Sequence, residues 1–393
     1  MSDLVILAGA RTGVGKFMGS LSSFSAPQMG SLAVKETLAR AKTDAAEVDE
    51  VIMGNVLQAG VGQNPARQAA LGAGMPNSIA AFTVNKVCGS GLKSVMLAAQ
   101  AIKAGDARTV LAGGMESMTN APYIIRKARM GLRLGDAPIQ DSMVHDGLTD
   151  AYDQQHMGMT AELVSREYDV ARETMDAYAV ESHRRAAAAW KEGLFDGETF
   201  DVLIPQRKGD PTPFRSDEGI REEASVEGMG RLRPAFAKDG VVTAGNASQI
   251  SDGAGAVLVT TLDNAEKKGV TPLARIVSYS TSGLEPKWVM MTPEPAVKAA
   301  AEKAGWDLKD VDLFELNEAF AAQSCALLDV MKLPAEKVNV HGGAVAIGHP
   351  IGASGTRCLL TLLYAMKTRE AKRGIISLCL GGGNGVAMAL ERL

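Results

Sequence analysis

The chain has 393 residues, too many for one ordinary hydrophobic core and enough for two or three domains. Apolar residues make up 46% and charged residues 22%, and the net charge is −4, which argues against a general nucleic-acid or polyanion surface. The apolar runs are short and interrupted, so no membrane span is expected.

In chain order the pattern alternates strand and helix. "LVILAGA" (4–10) reads as a buried strand and not as a signal peptide, since Asp3 precedes it and the apolar run is short. A helix is expected over 27–41, a strand over 50–57, a short helix over 64–74 and a strand over 80–87. The run 91–104 is a helix, and 109–116 is a strand ending in glycines. Residues 118–245 break the alternation, with helical runs at 153–168 and 172–192, and read as an insertion that covers a substrate. Strand-forming sequence returns at 245–261 and completes the first half. The second half follows the same plan: helix 294–304, strand 312–317, helix 319–331, a strand and turn within 337–350, a helix from Ser354, and final strands over 374–393. The C-terminal "ALERL" is not the Ser-Lys-Leu address.

The halves match in detail. Asn55 and Asn317 each follow a strand. Ser90-Gly91 and Ser354-Gly355 stand 35 and 37 residues further on, and each opens an apolar helix that leads to a glycine-ended strand. Four matches in order predict a duplicated α/β unit, with the halves packed face to face.

Four cysteines, Cys88, Cys325, Cys358 and Cys379, form no Cys-x-x-Cys pair. Neither a zinc site nor a disulfide framework is expected, and a reducing, cytoplasmic setting is. Cys325 and Cys358 lie in apolar helical runs and read as small buried hydrophobes. Cys88 stands at a predicted helix start, where peptide dipoles and free N–H groups favour thiolate. Gly89, Ser90 and Gly91 are small enough to let a substrate approach. His349, between Gly348 and Pro350 at the matching corner of the second half, is a candidate general base. His341, in a β-like alternation, reads as a satisfied structural histidine. In "CLGGGNG" Cys379 ends a strand, and the N–H groups of the glycine turn form a candidate oxyanion pocket. Asn317 is a candidate holder of a water or carbonyl, or else a helix N-cap. "GARTGVGKF" fails as a phosphate loop because Phe17 stands where Ser or Thr should follow Lys16.

Five segments together resemble the thiolase family over essentially the whole chain: Asn85-x-x-Cys88-x-Ser90-Gly91, "GNASQISDGA" (245–254), Asn317-Glu318-Ala319-Phe320, "GHPIGASG" (348–355) and Cys379-x-Gly381-Gly382-Gly383-x-Gly385. The resemblance implies a five-layered α/β/α/β/α fold of two related halves with an inserted loop domain. Residues 1–117 with 246–270 form the N-terminal half, 118–245 the loop domain and 271–393 the C-terminal half. It implies an acyltransferase that condenses two acetyl-CoA reversibly to acetoacetyl-CoA and CoA through acetyl-Cys88. His349 activates Cys88, and Cys379 removes the α-proton of the second acetyl-CoA. Asn317 with His349, and the N–H groups of Cys88 and Gly381, form two oxyanion sites.

By the same resemblance Leu148, His156, Met157, Ala235, Phe236, Ala244, Gly245, Ser248, Ala319 and Phe320 line the CoA channel, and Arg221 contacts the nucleotide. Met157 and Met290 resemble the short-chain subgroup, although "PKWVMMTPEP" departs from the usual Gly-Thr-Gly-Pro run. No metal or other cofactor is implied, since CoA thioesters are the substrates. The partners implied are acyl-CoA, CoA and further copies of the chain, a dimer at least and a tetramer through 118–141, with no nucleic acid and no membrane. The alternatives are a degradative thiolase for longer chains, a decarboxylating ketoacyl synthase and a non-catalytic acyl-CoA-binding module. The synthase would want a second histidine at Asn317 and would lack Cys379. The binding module predicts loss of Cys88, His349 or Cys379.

Overall fold

The structure, a computed structural model, describes residues 3–393. Its strands are β1 (Leu4–Arg11), β2 (Gly15–Lys16), β3 (Glu50–Gly54), β4 (Ala80–Val84), β5 (Thr109–Ser117), β6 (Tyr123–Ile124), β7 (Gln140–Asp141), β8 (Val202–Ile204), β9 (Thr212–Phe214), β10 (Ser251–Thr261), β11 (Ala274–Gly283), β12 (Leu313–Leu316), β13 (Arg373–Leu380) and β14 (Asn384–Glu391). Its helices are α1 (Ala26–Arg40), α2 (Pro65–Gly72), α3 (Ser90–Ala104), α4 (Met157–Glu167), α5 (Arg172–Lys191), α6 (Val226–Gly230), α7 (Leu262–Lys268), α8 (Pro293–Ala304), α9 (Ala321–Met331), α10 (Ala344–Ile347) and α11 (Ser354–Thr368).

Duplication is visible in the strand ladders. In the first half β4 and β3 pair in parallel, β3 and β5 in parallel, β5 and β10 antiparallel, and β10 and β1 antiparallel. In the second half β12 and β13 pair in parallel, then β13 with β14 and β14 with β11 antiparallel. The counterpart of β4 shrinks to a single parallel bridge, Phe314 to Val338. The strand expected within 337–350 is therefore only this bridge, followed by the short α10. The halves also touch edge to edge, where Val5 and Ile6 pair with Arg275 and Ala274.

Layering follows from which faces are apolar. The amphipathic α1 and α2 bury Met29, Ala33, Val34, Ala66 and Ala69 on one face of the first sheet. The buried faces of α3 and α11 lie between the sheets, with Leu92, Val95, Met96, Leu359, Leu360 and Leu363 in one core. Outside the second sheet α8 and α9 bury Ala296, Val297, Ala322 and Leu327. This is the five-layered arrangement, and β5, covered on both faces, is buried along its whole length. Local signals agree with it: Ser25 and Gln28 form a capping box at the start of α1, and α3 and α8 stop at Gly105 and Gly305 in left-handed conformations.

The central helices cross at glycines. A Cβ on Gly91 would stand 2.6 Å from Thr356 Oγ1 and 2.9 Å from Thr356 N, and one on Gly355 would strike Leu92 N. Gly89 likewise has no room beside Leu380 and Val386. The Ser-Gly pairs therefore let α3 and α11 approach, where the sequence suggested that small residues there admit substrate. Residues 118–250 leave the first sheet after β5 and return at β10, and carry α4, α5 and α6 against the second half.

Candidate active site

Cys88 lies on a tight corner. β4 ends at Val84, three residues earlier than the sequence suggested, and α3 begins at Ser90. Between them Val87 has φ +47°, a left-handed conformation costly for a β-branched residue. Ser90 Oγ holds the corner by accepting from Lys86 N (2.8 Å) and donating to Val87 O (2.7 Å), and Asn85 Oδ1 accepts from Val87 N (3.0 Å). Burial pushes the Cys88 thiol pKa up, and neighbouring Cys379 adds to it. The N–H groups of Gly381 and Cys88 itself pull the other way but do not prevail. The expected resting thiolate is thus corrected: desolvation outweighs the helix start, and Cys88 rests as a thiol.

His349 is buried, 6% exposed. Its loop begins at Gly348, with φ +114°, where a Cβ would collide with Ser251 and Val14. His349 Nδ1 lies 2.6 Å from Ser354 Oγ, and that hydroxyl donates to Pro350 O at 2.8 Å. The single hydroxyl proton is committed, so Nδ1 carries the imidazole proton and Nε2 keeps its lone pair. Burial, then Arg357, lowers the His349 pKa to about 3.

Cys379 is the penultimate residue of β13 and 4% exposed. Burial pushes its pKa up to about 11. Gly381 follows, and Gly382 and Gly383 at φ +84° and +82° turn the chain into β14.

These residues share one cavity of about 450 Å³, with Cys88, His349, Cys379 and Gly381 on its wall. Leu148, His156, Met157, Arg221, Ala235, Phe236, Ala244, Ser248, Met290, Ala319 and Phe320 also line it. Gly245 does not. It is buried behind the wall, where a Cβ would meet Leu232 and Met229. Asn317 is off the wall too: 2% exposed, it accepts at Oδ1 from Arg357 Nη2 (3.3 Å), while its Nδ2 has no protein partner. It is not an N-cap, since Phe320 takes that position on α9.

His156 caps α4 by accepting from Gly158 N at 3.1 Å and stacks on Phe236 at 4.8 Å, and Phe236 meets Phe320 edge-on at 6.0 Å. Burial lowers the His156 pKa and so favours a neutral ring. Arg207, Lys208, Arg215 and Arg221 form a basic cluster in the chain, and of these only Arg221 reaches the cavity. Arg215 faces Asp196 and Asp201.

The family description "Thiolase, N-terminal domain" matches residues 4–263, and "Thiolase, C-terminal domain" matches 270–392. The chain belongs to the thiolase family. An acetyl-CoA acetyltransferase of Cupriavidus necator is 55% identical over 392 residues, covering all of both chains. One of Escherichia coli is 52% identical over 394 residues, again across both chains. The crystal structure of the Bacillus anthracis acetyl-CoA acetyltransferase superposes with a TM-score of 0.98 at 40% identity, covering 100% of this chain and 99% of that one.

Of two buried carboxylates in this thiolase, Glu116 went unread in the sequence, and Glu318 entered only as part of a motif, with no role given to it. Glu116 is buried and accepts from Asn55 Nδ2 (2.7 Å), Val56 N (3.0 Å), Leu57 N (3.2 Å) and Gly352 N (2.9 Å). Burial pushes its pKa up to about 7 against those donors. Glu318 accepts from Tyr178, Ser182, Asn339 and Val345 N, and so clamps the loop that leads to His349. The ladders make Glu116 the counterpart of Cys379. Gly54 pairs with Gly114 as Leu316 pairs with Ser377, and each of the two residues lies two further on. One half thus uses the position to anchor the His349 loop, and the other to carry a thiol. The sequence also missed Lys16, Phe17, Met118, Val289, Ile250 and Ile351 on the wall. His341 is buried, but both its ring nitrogens lack a partner, contrary to the satisfied role expected. Cys358 is fully buried and Cys325 half-buried, and all four cysteines are unpaired.

Proposed function

We propose that this thiolase transfers acetyl groups between CoA thioesters, making and cleaving acetoacetyl-CoA through acetyl-Cys88. The observation that carries the reading is one cavity wall shared by two thiols, a neutral imidazole with a free Nε2 and the Gly381 N–H. The names and full-length similarity of the relatives support the acetyl specificity.

The protons balance on these residues alone. Cys88 attacks the thioester carbonyl of acetyl-CoA while its proton passes to His349 Nε2. The oxyanion sits on the N–H groups of Cys88 and Gly381. The CoA sulfur leaves and takes the proton of Cys379, which gives CoA thiol, a Cys379 thiolate and an imidazolium. The thiolate removes the α-proton of a second acetyl-CoA. The enolate oxygen is held by His349 Nε2–H and by a water on Asn317 Nδ2, and its carbon attacks acetyl-Cys88. Acetoacetyl-CoA forms, and the departing Cys88 sulfur recovers the proton from His349. The cycle needs no metal or redox cofactor. The low basicity of His349 and the high pKa of Cys379 mean that the charged pair exists only while Cys88 is acylated.

CoA occupies the channel between α4 and the second half. The stacked His156–Phe236 pair packs against the pantetheine arm, and Arg221 meets the nucleotide phosphates. Met157, Val289 and Met290 close the acyl end and limit chain length. A homotetramer in the cytoplasm fits the chain, as the segment 118–141 exposes Met130 at 79% and Leu134 at 100%, side chains that a second copy would cover. The test is CoA-dependent cleavage of 3-ketoacyl-CoAs of increasing length. Cleavage confined to acetoacetyl-CoA is expected. Rates that rise with chain length would favour the degradative alternative, and no cleavage would favour the binding module.

A further inference from the structure

Arg357 ends the first turn of α11, three residues after Ser354, and is buried. Its Nη1 donates to buried Glu315 of β12 at 2.8 Å, and its Nη2 to Asn317 Oδ1 at 3.3 Å. Cys358 Sγ stands 3.6 Å from the same Oδ1. A buried ion pair does little for stability, since apolar residues of like volume often serve as well or better. What this pair does hold is an amide. A guanidinium has donors and no acceptor, so only the oxygen of Asn317 can face it. Turned over, the amide would set its own N–H against Nη2–H. Nδ2 is therefore the end left free, and no protein group occupies it. The backbone of Asn317 is fixed separately: its N–H donates to Ser377 O at 3.0 Å, and its carbonyl accepts from Ala319 N at 3.0 Å. Only the side-chain torsions remain to be set.

We propose that Arg357 is a positioning residue for the enolate step: it fixes the Asn317 amide so that Nδ2, and not Oδ1, serves the oxyanion water. The inference rests on the reading of Asn317 as the holder of that water. One helical turn then orients both members of the site. Ser354 Oγ sets the proton of His349 at Nδ1, 2.6 Å away. Arg357, on the same helix face three residues on, sets the amide of Asn317. Glu315, two residues before Asn317 on the strand that leads to it, keeps the guanidinium in place. Acylation uses the other oxyanion site, whose donors are the backbone N–H groups of Cys88 and Gly381 on other elements. Loss of Arg357 should therefore separate the two half-reactions.

The test uses the double variant Glu315→Leu with Arg357→Met, which removes the buried charges together and leaves neither unpaired. It also leaves unchanged the net charge near His349, whose pKa Arg357 lowers. Two readings are taken: the burst of CoA released as Cys88 is acetylated, and exchange of the α-hydrogens of acetyl-CoA with deuterated water, followed by mass spectrometry. The burst rate should stay within about threefold of wild type, and KM for acetyl-CoA within about twofold. Exchange should fall about tenfold or more, part of the roughly 100- to 1,000-fold that a lost oxyanion donor costs. Arg357→Lys keeps the charge but offers one ammonium to two partners, and should recover part of the exchange. Should the double variant fail to fold, Arg357→Lys decides, with exchange lowered about threefold or more against an unchanged burst. Wild-type exchange in the folded variant, or burst and exchange reduced alike, would overturn the proposal. Wild-type exchange in Asn317→Ala would instead overturn the reading of Asn317 on which it rests.

Discussion

Ser354→Ala tests the imidazole tautomer directly. Ser354 Oγ is the acceptor that fixes the proton on His349 Nδ1, at 2.6 Å, and its own proton goes to Pro350 O. Removing it leaves a buried N–H without that partner, a penalty of about 1–3 kcal/mol. The imidazole can escape by moving its proton to Nε2, but it then presents a donor where Cys88 needs an acceptor. Converted to rate, the penalty is about 5- to 150-fold in kcat. KM should stay within twofold, because Ser354 is absent from the cavity wall. The fold should hold, since Pro350 O still accepts from Ala353 N (2.8 Å) and Ser354 N (2.9 Å). The assay is steady-state thiolysis of acetoacetyl-CoA with a thermal melt alongside. A kcat within twofold of wild type in a folded variant would refute the tautomer assignment.

Gly91→Ala drives a Cβ to 2.9 Å from Thr356 N and 3.1 Å from Gly352 O, and backbone atoms cannot yield as side chains do. It should destabilise by about 1–3 kcal/mol or more and lower kcat more than it raises KM, as Cys88 and His349 sit on opposite sides of that contact. Unchanged melting and kinetics would contradict the packing role. Phe236→Ala removes contacts with His156 and Phe320 of about 0.5–1.5 kcal/mol each, so KM for acetyl-CoA should rise about fivefold or more with kcat nearly unchanged. A loss confined to kcat would move Phe236 out of the CoA channel.

Acid stability follows from three histidines. His349 at about 3, and His341 and His183 at about 4, are all lowered from 6.5, chiefly by burial. Between these values the unfolded chain binds more protons than the folded one. Their contribution is therefore full above pH 6.5 and is lost as pH falls towards 4 and then 3. His341→Leu should raise the urea midpoint at pH 5 more than at pH 7, and an equal shift at both would contradict this.

Much of the fold was legible in the sequence because the duplicated unit repeats local signals: a strand, a Ser-Gly helix start and a glycine-ended strand. Cys88, His349, Cys379 and Gly381 could be named for the same reason, since each sits at a corner marked by glycine or proline. What escaped depends on tertiary surroundings. The pKa of Cys88 is set by burial and by Cys379, which lies 291 residues away in the chain, and not by the helix start that the sequence displays. Phe17, just after β2, and Met118, just after β5, reach the cavity from places far apart in the chain, with no local pattern to mark them. Glu116 looks like any strand-end carboxylate until Gly352 arrives from the other half. The strand expected near Val338 failed because a single bridge to Phe314 is all the pairing it finds.

The most direct test of the central claim is to mix Cys379→Ala with radiolabelled acetyl-CoA, quench in acid and map the label by peptide mass spectrometry. Acylation needs the Cys88 thiol and His349, and without Cys379 the departing CoA can leave as a thiolate or take the imidazolium proton, while removal of the α-proton has no other base, so the acetyl-enzyme should accumulate with one acetyl group on the peptide that carries Cys88. Label on any other residue, or none on a folded variant that still binds CoA, would contradict the mechanism.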